Sequence, residues 1–219
     1  MFNKLSVTKF NLKEDFKYPL FLTAMAAFLF LPSLVGQTHS DFFADILFVI
    51  YIISSLFLIS ADSKIVRAFT LGIGALGISA EIVHNLIRPL SEHFQVLFML
   101  IMFIYFIALF TELVRQIFKS ELITLNVVLG AFTGYIMLGI IGYFVFRIIF
   151  LLDPASFAIP ESSIRDLVYF SFVTLTTIGY GDISPISEAA RNMAIILGLV
   201  GQFYNTVIIA IIIGKFLQK

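Results

Sequence analysis

Six nearly unbroken apolar stretches divide the chain, and short polar joints separate them. They run from about Pro19 to Val35, Phe42 to Ala61, Ile65 to Ile87, Phe94 to Leu113, Leu122 to Leu152 and Glu188 to Leu217. Each is long enough to cross a hydrocarbon layer as a helix, which needs about 20 apolar residues. The last would be roughly 45 Å long at about 1.5 Å per residue, so it must tilt or extend beyond the bilayer. The fifth and sixth stretches are separated by a different pattern. Pro160 ends the preceding run, and Ser163-x-x-Asp166 has the spacing of a capping box that opens a helix. That helix is expected to end near Thr176, too short to cross. After it, Pro185 breaks the chain and Ser187 is placed to cap the sixth helix, with Glu188 in its first turn. The predicted fold is an all-α membrane protein with six transmembrane helices, a short re-entrant helix and a non-helical stretch behind it.

Charge orients this plan. Lys4, Lys9, Lys13, Lys17, Lys64, Arg67, Arg115, Lys119, Lys215 and Lys219 fall on one side, and Arg88, Arg147, Arg165 and Arg191 near the other. The excess of basic residues marks the cytoplasmic face, so a multi-pass protein of the cell membrane with both termini cytoplasmic is expected. Residues 1–18 interleave lysines with Phe2, Leu5, Phe10, Leu12 and Phe16, which suits either an interfacial helix or a solvated tail.

Composition narrows the class. Of 219 residues 60% are hydrophobic and 13% charged, and the mean hydropathy is +1.03. The 14 basic and 14 acidic residues balance, which excludes nucleic acid as an expected partner. With no cysteine, disulfides and thiolate metal sites are excluded.

The candidate chemistry lies in Thr176-Thr177-Ile178-Gly179-Tyr180-Gly181-Asp182. Gly179 and Gly181 can take left-handed dihedrals without a Cβ penalty. A backbone that alternates in this way stacks the carbonyls of Thr177, Ile178, Gly179 and Tyr180 into oxygen rings, closed on the inner side by the Thr177 hydroxyl. Such rings replace the water around a dehydrated cation. Tyr180 would point outward and brace the strand. The stretch resembles the potassium-channel signature T-V-G-Y-G-D, with Ile178 in the Val position. The resemblance covers about residues 122–217 and implies a homotetramer in a lipid bilayer, each chain giving a quarter of a selectivity filter. Potassium ions would be its only ligand, with no organic cofactor and no reaction catalysed. Thr177, Ile178, Gly179, Tyr180 and Gly181 would bind potassium, and Thr176 and Asp182 would support them. In the family a Trp pair often stands behind the filter; here Tyr169 and Phe170 occupy those positions, and Tyr169's hydroxyl is a candidate brace.

The six-span plan resembles the voltage-gated branch, dividing the chain into a cytoplasmic segment (1–18), a four-helix sensor-like domain (19–119) and a pore domain (120–219). Voltage sensing needs basic residues through the fourth span. That span carries none from Phe94 to Tyr105, and Arg115 and Lys119 come only at its end. Strong voltage gating is not expected. Any ligand gate would act on the membrane part or come from a regulatory subunit. A nonselective cation channel and the membrane subunit of a cation transporter are the alternative readings.

Other positions have two readings each. Gly198 and Gly201 in the sixth span are candidate gating hinges, or allow close packing on the fifth span and its glycines. Asn205 and Thr206 line a cavity or bond a neighbouring helix. Glu81, His84, Asn85 and Arg88 share one face of the third span. They form a structural polar network or, with His39 and His93, an external pH sensor. A Glu81–His84 metal site lacks a second such pair. Gly72-x-Gly74-x-x-Gly77 matches a dinucleotide fingerprint, but no strand precedes it, so it is read as a packing face. Arg147 is expected to pair with Asp153 or Glu188.

Overall fold

The computed structural model describes residues 17–34, 40–58, 68, 71–77, 79, 92–120, 124–159 and 164–217. Helix α1 is Lys17–Leu34 and α2 Ser40–Leu58; α3 is Glu92–Lys119 and α4 Leu125–Leu152. A 3-10 turn, Pro154–Ser156, leads to the two-residue strand β1, Phe157–Ala158. Helix α5 is Ile164–Leu175, β2 Ser184–Pro185, and α6 Glu188–Leu217. Residues 71–77 are also helical. Among the described residues, three helical segments are long and apolar enough to cross a membrane: His93–Lys119, Leu125–Leu152 and Glu188–Lys215. The apolar parts of α1 and α2 are shorter, Lys17–Leu31 and Ile46–Ser55.

The helices meet through large side chains on one and small ones on the other. At Gly139 of α4 a Cβ would lie 2.6 Å from the Phe172 ring of α5, and at Gly142 it would lie 2.5 Å from the Ser171 hydroxyl. Those glycines let α5 lie against the backbone of α4, and Ser171 completes the approach by donating to the Gly139 carbonyl at 2.6 Å. Gly74 and Gly77 face Ile52, Tyr105 and Met102, whereas Gly72 faces open space. The 72–77 glycine pattern is therefore a packing face at two of its three positions. Farther along, Tyr51 of α2 lies between the rings of Phe21 and Phe106, at 5.1 and 5.4 Å.

Polar groups gather where the start of α1 meets the ends of α2, α3 and α6. The Tyr18 hydroxyl donates to Gln116 Oε1 at 3.0 Å, and Gln116 Nε2 donates to the Leu58 carbonyl at 2.7 Å and to Glu112 at 2.9 Å. Arg115 pairs with Glu112 at 2.9 Å. Lys215, in the last turn of α6, donates to the Phe118 carbonyl at 2.9 Å and to those of Ile117 and Ser120. The last carbonyls of a helix have no partner within it, and its C-terminal end favours a cation, so one ammonium answers both needs. Helices that cross alternately up and down would bring these four ends to one side, as they are here.

Some expectations change. Helix α3 continues unbroken past Leu113 to Lys119. Arg147 does not pair with Asp153 or Glu188. Asp153 is already used: its carboxylate accepts from the Ala155 amide at 3.1 Å and the Ser156 hydroxyl at 3.0 Å. Arg147 instead lies over the Phe150 ring, 5.6 Å from its centre. Ser163 lies outside the described residues, as do Glu81, His84, Asn85 and Arg88.

Replacing Lys215 by Met removes a charge-assisted set of bonds, each typically worth about 1.5–3 kcal/mol in context. Allowing for partial exposure, Lys215→Met should lower unfolding stability by roughly 1–2 kcal/mol. Thermal unfolding in detergent checks this; an unchanged midpoint would mean that the ammonium does not hold the end of α3.

Candidate functional site

The two short strands bring the chain back, before α6, to the place it left after α4. β1 and β2 pair antiparallel, with Phe157 opposite Pro185 and Ala158 opposite Ser184. The Ile186 amide donates to the Ser156 carbonyl at 2.8 Å, closing the base of the loop. Three rings fix α5 above this base: Phe170 lies 4.9 Å from Phe146 and 5.6 Å from Phe157. Phe170 is buried there, so it holds α5 to α4 and β1. Helix α5 has 12 residues, about 18 Å in length, too short for a hydrocarbon core of about 30 Å.

The return path, residues 176–182, is non-helical and largely exposed, with Ile178 54% and Tyr180 72% accessible. Its backbone alternates. Thr177 has φ 59°, Gly179 53° and Gly181 83°, and Ile178 and Tyr180 between them are not left-handed. The glycines take the left-handed geometry expected of them. Thr177 takes it as well, at a cost of roughly 1–2 kcal/mol for a residue with a Cβ. At Gly179 and Gly181 a Cβ would touch nothing within 4 Å, so the dihedral and not crowding is what demands glycine.

The amides of this stretch turn back onto α5. Thr176 N donates to the Phe172 carbonyl at 2.9 Å, and Thr177 N to that of Thr174 at 3.1 Å. Ile178 N and Gly179 N share the Val173 carbonyl at 2.9 and 3.1 Å. In a trans peptide the N–H of one residue and the carbonyl of the residue before it point opposite ways. The carbonyls of Thr176, Thr177 and Ile178 therefore face away from α5, on the open side of the chain. An exposed line of backbone oxygens there is suited to a cation.

Tyr169, next to Phe170 on α5, faces the far end of the stretch and bonds the Asp182 side chain. That hydrogen bond, followed by partial burial and the nearby charge of Asp182, raises the Tyr169 hydroxyl above its ordinary value. Ser187 caps α6 as expected, accepting from the Ala190 amide at 3.2 Å, and Arg191 Nε donates to the Pro185 carbonyl at 3.2 Å. The two candidate hinges differ. A Cβ at Gly201 would come 2.5 Å from Leu175 Cδ1 and 3.2 Å from its carbonyl, while Gly198 meets nothing within 4 Å. Gly201 is thus a close-approach glycine against the end of α5, not against α4. Gln202 and Thr206, with Leu199, Val200 and Phe203, line an open concavity of about 510 Å³ on α6. Among the described residues no group of His, Asp and Glu is disposed to hold a metal ion.

This geometry can be set beside known proteins. Residues 127–219, from α4 onward, match a family model described as ion channel. That region is similar to ion channels. A stretch of 42 residues is 48% identical to a rice protein (Oryza sativa subsp. japonica) named two pore potassium channel c. The likeness covers 19% of this chain and 9% of the rice protein's length. Together with the three candidate spans, the family match sets this region beside ion channels of the membrane. Sequence reasoning missed the left-handed Thr177, for which no residue-type signal exists, and the contact that distinguishes Gly201 from Gly198.

The raised Tyr169 value has a definite sign. The bond to Asp182 is present below the ordinary tyrosine value of about 10 and is lost as pH climbs through the raised one. Asp182→Asn removes the negative charge, so the Tyr169 midpoint should fall toward about 10. Tyrosinate absorbance, taken as the difference from the same protein carrying Tyr169→Phe, reads it. No movement would show that Asp182 does not hold this hydroxyl.

Proposed function

We propose that the chain is one subunit of a homotetrameric potassium channel that conducts passively across the cell membrane. Four copies would bring four lines of backbone oxygens around one axis, with the carbonyls of Thr177, Ile178, Gly179 and Tyr180 forming successive rings. Each ring would be tight enough to replace an ion's water and loose enough to release the ion to the next. Thr176 and Asp182 support the strand, with Tyr169 as the donor to Asp182. The observation that carries this reading is the alternation of left-handed residues at Thr177, Gly179 and Gly181, with the amides anchored on α5. The ion-channel match and the likeness to the rice protein's stretch support it.

The wider architecture follows from the same reading. Residues 120–219 form the pore domain, α5 is a re-entrant helix, and 19–119 form a four-helix domain, giving six spans with both termini in the cytoplasm. Non-helical backbone at bilayer depth is tolerated where it is covered by protein or lines water, and the neighbouring subunits and the ion path supply both. The basic residues of α3 within its last turns are Arg115 and Lys119, so opening does not depend strongly on voltage. Glu81, His84 and Arg88 remain candidates for external pH sensing, and a regulatory subunit from another chain is a further source of control.

Purified protein in a planar bilayer under opposed potassium and sodium gradients should reverse near the potassium equilibrium potential. Gly179→Ala, strained by its dihedral, should abolish that selectivity or the current itself. A reversal near zero from the parent protein would contradict the assignment.

A further inference from the structure

Every carbonyl in the last turn of α5 is bonded, and the partners of the four carbonyls are not alike. Those of Phe172, Val173 and Thr174 accept amides of residues 176–179, so the exposed stretch itself satisfies them. The fourth, Leu175, accepts the hydroxyl of Tyr135 at 3.1 Å. Tyr135 belongs to α4, so this is the point at which another helix grips the end of α5. Leu175 is fully buried and lies two residues before Thr177. Helix α6 reaches the same carbonyl, because Gly201 leaves room for only 3.2 Å between it and a would-be Cβ. A second tyrosine completes the junction. Tyr204 of α6 stacks on Tyr135, with ring centres 6.3 Å apart, and donates to the Ala131 carbonyl of α4 at 2.8 Å.

From this junction we infer that Tyr135 is the residue that positions the carbonyl rings, acting through the Leu175 carbonyl. The inference rests on reading residues 177–180 as the ion path. The bonds at the other three carbonyls all come from residues 176–179, so they move with the stretch they hold and cannot fix its place relative to the scaffold. The Tyr135 bond can, since α4 is anchored independently to α5 by Ser171 and Phe170. Losing it lets the end of α5 rotate, and the ring of oxygens at Thr177 shifts with it. Potassium selectivity depends on that ring's spacing and field. Tyr135 is a positioning residue; it does not touch the ion.

The test compares single-hydroxyl deletions in planar bilayers. Tyr135→Phe should still conduct, with its potassium-to-sodium permeability ratio reduced about two- to tenfold, the equivalent of one hydrogen bond. Tyr204→Phe removes a hydroxyl of the same kind from the neighbouring ring; it should lose comparable thermal stability and keep the parental ratio. Gly201→Ala presses on the Leu175 carbonyl from α6 and should also lower the ratio; it decides the matter if Tyr135→Phe does not assemble. A parental ratio in Tyr135→Phe, or an equal loss in Tyr204→Phe, overturns the inference while leaving the channel assignment intact. A parent protein that reverses near zero overturns both.

Discussion

An irregular backbone in an apolar setting must have each of its amides and carbonyls answered, and the rest of this fold serves that requirement. Residues 176–179 meet it by giving their amides to the end of α5, which at once satisfies the helix's terminal carbonyls and turns the strand's own carbonyls outward. Neither partner is complete without the other. A short helix ending in free carbonyls and a strand with free amides are each costly to bury; joined, they leave only outward oxygens, which a cation can satisfy. The left-handed dihedrals at Thr177, Gly179 and Gly181 are the conformational cost of that arrangement.

The scaffold keeps the joined pair in place with little polar chemistry. Glycines at 139 and 142 let α5 settle on α4, and the rings of Phe146, Phe157 and Phe170 hold it to α4 and β1. The two-residue pairing of β1 and β2 closes the loop's base. At the opposite end, Lys215 ties the last turn of α6 to the end of α3, whose Gln116 reaches both α1 and α2. The C-terminal end of α6 is therefore joined through α3 to the first helices, and its Gly201 lies against Leu175.

Much of this was legible in the sequence because it depends on local patterns. The sixth helix begins and ends where its apolar run does, with Ser187 capping it, and the short helix after Pro160 falls within a residue of its expected end. Gly179 and Gly181 announced their dihedrals because glycine is the residue that takes them freely. Tyr169 could be named as a donor near Asp182 from its place beside the motif. What the sequence hid depends on distant segments. Gly198 and Gly201 look equivalent along the helix, and only the side chain of Leu175, from another element, separates them. Arg147 was assigned a carboxylate by proximity, but Asp153 is taken by the turn that follows α4. Tyr135 carries no signal at all, since a tyrosine in an apolar helix is ordinary until its hydroxyl is seen to reach Leu175.

The central claim is that backbone oxygens of residues 177–180 from four chains hold a dehydrated potassium ion. Anomalous diffraction from crystals grown in rubidium or thallium tests it most directly, since both ions substitute for potassium and can be located individually. The account predicts a row of peaks on a fourfold axis, spaced between successive carbonyl rings from Thr177 to Tyr180 and absent when sodium replaces those ions. A chain without fourfold symmetry, or a fourfold axis with no ordered ion beside these carbonyls, would contradict it.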